Sequence, residues 1–330
     1  MPFTKMRQMS RRVCTLVAGL WLLGCSACMA DPAVVYEAVQ FDDSFNVAAY
    51  DGIQRYKAEG GVAVQAFGAK AIRRFAEAGA EPIIAIGVSL AEEIARAAEA
   101  FPQRKFILID AVVDAPNVQS VVFRNQEGAF LVGMLAALSS RTGKVGFVGG
   151  MDIPVIREFQ CGYSQGVQAV APRTEVFTAM TGTTSQAWNN PERGAELARL
   201  QYARGVDVIF AAAGGTGLGV YQVAKAMGKQ AIGVDRNQNF LYPGTMLSSM
   251  VKRIDVAVYM AAKSVRDGSY RGGGILSLGV KENGIGWALD KYNRALVSPE
   301  MQKRLEGAQK DIATGKLQIQ PYLPIEDCQF

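Results

Sequence analysis

The chain contains no histidine. That absence excludes Ser-His-Asp and Cys-His nucleophiles, histidine-ligated zinc and the imidazole general base, and it leaves an enzyme only carboxylates, lysine or tyrosine to work with. Cys161 and Cys328 have no Cys-x-x-Cys spacing, so no structural metal is expected, and no residue pattern calls for a cofactor. In an oxidising compartment these two cysteines could pair; a buried free thiol is an equal alternative, because spacing does not reveal geometry. No apolar run reaches the ~20 residues that a membrane-spanning helix needs. Charge blocks and low-complexity tracts are also missing, so the whole chain is expected to fold.

What is present starts with size. A length of 330 residues exceeds the ~250–300 at which a single core stops growing, which predicts two lobes. The first 24 residues hold Lys5, Arg7, Arg11 and Arg12 and no acid, followed by an apolar run from Val13 to Leu23 that ends at Gly24-Cys25. This is the pattern of a secretory leader, assigned to residues 1–30. Leu22-Leu23-Gly24-Cys25 resembles a bacterial lipobox, which would leave a lipidated Cys25 at the new N-terminus; the alternative is ordinary cleavage after Ala30. Either way the chain is exported and faces the periplasm or the exterior, anchored or soluble. Loss of the leader drops the formal charge from +5 to +1, a balance that argues against nucleic acid as partner.

Beyond residue 32, short β-branched runs alternate with amphipathic helices, the mark of parallel sheets wound with crossover helices. Strands are predicted over Ala33–Val39, Val62–Phe67, Pro82–Ile86, Lys105–Ile109, Lys144–Val148, Thr174–Ala179, Val206–Ala211 and Gln230–Val234. Helices are predicted over Leu90–Phe101, Gly128–Ser139, Pro191–Arg204 and Leu218–Met227. Open α/β sheets bind ligands at the C-terminal ends of their strands, so the residues there are the site candidates.

Three of those ends carry chemistry. Ser44-Phe45-Asn46 precedes a helical pattern, where Ser44 or Asn46 can cap the helix and Phe45 faces either core or cleft. Asp110 closes the apolar strand Lys105–Ile109, either capping a turn or accepting a ligand N–H or O–H. Ala213 to Gly219 opens a helix after a strand, with Asp235 lying 20 residues beyond Gly215, an arrangement close to a dinucleotide fold. The sixth position of that glycine motif is Val220, however, and the fingerprint fails. Glycines that allow close backbone approach and an acid for vicinal hydroxyls survive, which suits a nucleoside or sugar without a redox step.

Several segments in order resemble the basic membrane protein (BMP) family of bacterial substrate-binding lipoproteins, of which the purine nucleoside receptors are one branch. They are Ser44-Phe45-Asn46; Phe123-Arg124 with Glu127 to Gly133; Ile153 to Arg157 with Gly162-Tyr163; Ala212 to Val220; Gly233-Val234-Asp235; and Ser249 to Arg253 with Asp255-Val256-Ala257. The resemblance covers residues 33–275. It implies a type I periplasmic-binding protein fold, two Rossmann-like lobes with parallel sheets joined by hinge strands, with crossings near residues 141, 246 and 275. Lobe 1 would then hold 31–141 and 247–274, and lobe 2 would hold 142–246 and 275–330.

The resemblance further implies a base held between Phe45 and Trp188, ribose contacts from Asp235 and Lys252, and further ligand contacts from Asn46, Asp110 and Gly214. Where the family's first strand ends in Asp, this chain has Tyr36. The function implied is binding without chemistry, as the monomeric receptor of an ABC importer working with a permease and an ATPase. A sensor subunit for a membrane receptor is the alternative; a nucleotide-dependent oxidoreductase fits the glycines and Asp235 alone.

Overall fold

The computed structural model describes residues 30–37, 42–323 and 328. The leader and Cys25 therefore lie outside the described residues. The chain runs β1 (Ala33–Tyr36), α1 (Phe45–Ala58), β2 (Val64–Phe67), α2 (Lys70–Ala78), β3 (Ile83–Ile86), α3 (Ala91–Ala100), β4 (Phe106–Ile109) and β5 (Val118–Phe123). It continues with α4 (Asn125–Ser139), β6 (Lys144–Met151), α5 (Pro154–Val170), β7 (Glu175–Gly182), α6 (Pro191–Ala203), β8 (Val208–Ala212), α7 (Gly217–Ala226), β9 (Gln230–Asp235) and β10 (Met246–Lys252). It ends with α8 (Ile254–Ser264), β11 (Ile275–Leu278), β12 (Ile285–Trp287) and α9 (Pro299–Ala313).

These strands form two six-stranded sheets, ordered β11-β5-β4-β3-β1-β2 and β12-β10-β9-β8-β6-β7. Every described pairing is parallel except β10 with β12. Central strands such as Ile83–Ile86 and Phe106–Ile109 are buried at every residue, as expected where helices cover both faces. In each lobe the strand order reverses beside one strand, β1 in the first sheet and β6 in the second. Such a switch point leaves a crevice at the strands' C-terminal ends.

The lobe boundaries need correction. Helix α4, expected in lobe 1, packs on α5, β10 and β12 of the second lobe. The reason is glycine: a Cβ at Gly133 would strike the Tyr163 carbonyl, and one at Gly162 or Gly166 would strike the backbone of Gln126 or Phe130. Only bare backbones let α4 and α5 approach so closely. The chain thus first crosses after β5, not near residue 141. Strand β10 pairs with β9 and so stays in the second lobe, moving the second crossing from 246 to the end of Lys252. Strand β11 pairs with β5, returning 275–278 to the first lobe, and the third crossing follows it.

One hydrophobic cluster under α2 and α3 and another under α6 and α7 fill the outer faces of the two sheets. A third, between the inner helices, runs continuously from one lobe into the other. Cys161 of α5 and Cys328 form a disulfide, with Cα atoms 5.1 Å apart. That resolves the open alternative in favour of pairing and fits an oxidising compartment.

Candidate ligand-binding site

The ends of β1, β3, β4, β8, β9 and β10 converge on one cleft between the lobes. It holds about 680 Å³ of empty space, part of it open to solvent. Phe45, Asn46, Asp110, Trp188, Gly214, Asp235 and Lys252 all border it.

From the first lobe comes the segment before α1. Ser44 stands at the N-cap position, but neither its side chain nor that of Asn46 makes the capping bond; Asp42 does, its Oδ1 accepting the backbone N–H groups of Ser44 at 3.0 Å and Asn46 at 3.1 Å. This frees both candidate side chains. The Ser44 hydroxyl crosses to the second lobe and donates to Asp235 Oδ2 at 2.5 Å. Asn46 is 5% exposed, and its Oδ1 has no hydrogen-bond partner among the described residues. A buried acceptor left open on a cavity wall is costly unless a ligand donor or water meets it.

Tyr36 belongs elsewhere. It is fully buried and donates its hydroxyl to Gln65 Oε1, so it is part of the sheet's packing. The carboxylate that the first strand brings to the cleft is the next residue, Glu37, whose pKa is raised by burial against the opposing pull of hydrogen bonds from Ser89. Glu37, Asp42 and Phe159 also line the cavity, none of them among the individual ligand contacts expected above. The signal for Phe159 was hidden in the apolar periodicity of α5, which reads as core; Val155 and Ile156 of the same helix also reach the cleft.

The second lobe supplies Trp188 from a short 3-10 turn. Its indole rests on Gly150, where any Cβ would collide with the ring. The turn is tied down through Thr216, whose hydroxyl donates to the Ala187 carbonyl at 2.7 Å and accepts from the Asn190 amide at 2.7 Å. Gly214, at φ +55, lets the chain pass beside the Trp188 carbonyl, 3.2 Å from where a Cβ would lie.

The charged floor is a coupled set. Lys252, with its side chain 1% exposed, sits 2.6 Å from Asp110 Oδ2 and within 4.9–5.7 Å of the ring centres of Phe45, Phe123 and Phe159. Asp235 is 6% exposed, and burial pushes its pKa up to about 6, with Lys252 and the Ser44 hydroxyl pulling the other way. Asp110 and Asp235 both adopt positive φ, 76° and 66°, a conformation uncommon outside glycine that collects at functional sites. The arrangement offers aromatic faces from both lobes, buried acceptors and one cation already paired.

A family model described as "ABC transporter substrate-binding protein PnrA-like" matches residues 30–320. The chain belongs to this Bmp family. It is 30% identical over 307 residues to the "CD4+ T-cell-stimulating antigen" of Listeria monocytogenes, covering 84% of each chain. It is also 30% identical over 317 residues to the "ABC transporter nucleoside-binding protein BmpA" of Lactococcus lactis, covering 87% of this chain and 88% of that one. Among solved structures, an ABC transporter solute-binding protein from Aeropyrum pernix aligns at TM-score 0.80 and 28% identity, covering 89% of this chain and 94% of that one.

The fold is therefore the type I periplasmic-binding architecture expected. The protein is an extracytoplasmic substrate-binding protein of an ABC transporter, with a small-molecule ligand and permease and ATPase partners, and its family is one of binding proteins, not enzymes. Among the described residues no helix is long and apolar enough to cross a membrane.

Proposed function

We propose that the ligand is a nucleoside, of the purine class, held intact. The observation that carries this reading is the cavity in which Phe45 and Trp188, one from each lobe, meet buried carboxylates and the open Asn46 acceptor. Flat aromatic faces suit a base, which has a π-face whatever its sequence of substituents. Ionised Asp235 suits the vicinal hydroxyls of a ribose, with Lys252 and Gly214 beside it. Asn46 and Asp110 serve as further polar contacts, and Glu37 adds an acceptor at the first strand. The Lactococcus lactis relative, named as nucleoside-binding, supports the same choice.

Isothermal calorimetry of the mature protein against purine and pyrimidine nucleosides, free bases and ribose tests the reading, with chromatography of the recovered ligand. Saturable binding of purine nucleosides, recovered unchanged, is expected. Absence of binding across the panel, or conversion of the nucleoside, overturns it.

A monomer is proposed as the working unit, because the two lobes of one chain face each other across the cleft. The lipobox-like sequence supports a lipid anchor at Cys25. Cys25→Ala should then move the protein from the membrane fraction to the soluble one; a soluble wild type beginning at Asp31 contradicts the anchor.

A further inference from the structure

Gln238, fully buried just beyond β9, makes a set of contacts that holds the lobes together away from the cavity. Its Oε1 accepts the Val234 amide at 2.9 Å and the Tyr221 hydroxyl at 3.0 Å, and its own backbone N–H donates to Ser249 Oγ at 2.9 Å. A Cβ at Gly233 would intrude on both Gln238 and Ser249, so the glycine there makes room for the group. With the oxygen fixed, the side-chain nitrogen is aimed, and it donates across the cleft to the Asp43 carbonyl at 2.9 Å. Arg236 reaches the same lobe, with Nη1 3.8 Å from Asp43 Oδ1 and Nη2 3.4 Å from Asp51 Oδ2. Neither Arg236 nor Gln238 borders the cavity. What they grip is the segment that does: Asp43, at φ 52°, stands in the stretch bringing Asp42, Phe45 and Asn46 into the cleft.

We infer that Gln238 and Arg236 are positioning residues, a latch between the lobes that holds segment 42–46 in place and sets how long the ligand stays bound without touching it. The contacts form only when the lobes meet: the ligand-free chain exchanges between parted and latched lobes, ligand enters the parted form, and it must escape from the latched one. Their effect falls on dissociation, the usual locus of affinity differences. The neutral hydrogen bond acts at any ionic strength. The Arg236 pairs are partly exposed, with side-chain exposures of 29% against 52% and 49%, and so weaken with salt.

The kinetic arm of the test rests on the nucleoside reading; the scattering arm does not. Gln238→Glu keeps the shape and the acceptor for Val234 and Tyr221 but sets an oxygen against the Asp43 carbonyl. It should raise the nucleoside dissociation rate about tenfold in a stopped-flow chase, leaving association within about twofold. Arg236→Gln should raise dissociation about two- to fivefold and remove much of its dependence on salt. Small-angle scattering of the ligand-free chain should show a larger radius of gyration for both variants. Wild-type dissociation and wild-type scattering in both variants overturn the latch, as does a Gln238→Glu effect confined to association. Should Gln238→Glu fail to fold, Arg236→Gln, at a partly exposed site, decides by the same criteria. If the wild type binds no nucleoside, the ligand assignment fails, and scattering alone decides the latch.

Discussion

Asp235 holds a carboxylate where water hardly reaches, and its chemistry follows from that. Burial raises its pKa from 3.8 to about 6, so the folded protein holds this proton more tightly than the unfolded chain does. The sign is then fixed: between about pH 4 and 6 the ligand-free fold loses stability through this group as pH rises. A ligand whose hydroxyls donate to the ionised form reverses the preference. Nucleoside affinity should be flat above about pH 6 and fall below it, by at most about tenfold per pH unit. Calorimetry from pH 5 to about 8 checks this, with Asp235→Asn as the variant that should flatten the profile. That substitution should penalise nucleosides far more than free bases, since a hydrogen bond to a charged group contributes about 1.5–3 kcal/mol. Phe45→Ala should penalise both, because stacking contributes ~1–3 kcal/mol whichever form carries the base. Equal loss of base and nucleoside in Asp235→Asn would assign the carboxylate to some other part of the ligand.

At the scale of elements, the α4–α5 crossing ties the second lobe together, and its contacts are made by backbone. Gly162→Ala places a methyl against the Gln126 main chain, which has no rotamer to yield. Overpacking of this kind costs about 1–3 kcal/mol, so the urea midpoint should fall, and ligand affinity should change little if the cleft is intact. A midpoint equal to wild type would mean that the helices part without cost. The same crossing shows why the lobe boundary was illegible: periodicity announces that Gly128–Ser139 is a helix but not which sheet it lies on. Strand β10 was hidden by Ser248 and Ser249, which read as surface yet are fully buried, bonded to the Ala288 carbonyl and to Asn239 Oδ1. The eight strands that were read are those with short runs rich in β-branched or apolar residues, and each overlaps an observed strand. Site residues at the ends of those strands could be found because topology alone sends them to the crevice. Glu37 was missed because the first strand was expected to run on to Val39, and the capping role of Asp42 because the capping side chain was sought at Ser44 or Asn46.

The whole molecule is two sheets with separate outer cores and one inner core that continues through the hinge. Hinge motion is the usual response of such a frame to ligand, and its report should come from Trp188. The indole lies partly exposed on the cleft wall, against Gly150, while Trp287 is turned away on β12 with its Nε1 donating to Gln309 Oε1 at 3.1 Å. Trp21 falls in the predicted leader, so a chain cleaved there would fluoresce from these two tryptophans alone. Closure over a base encloses one and leaves the other unchanged. Nucleoside titration should therefore shift the emission of the wild type. Trp188→Phe should abolish the shift while keeping most of the affinity, because phenylalanine retains a stacking face. Trp188→Ala should lose roughly tenfold or more in affinity, as expected for removal of a stacking partner. An emission change that persists in Trp188→Phe would place the moving boundary near Trp287 instead, and wild-type affinity in Trp188→Ala would leave the base stacked on Phe45 alone.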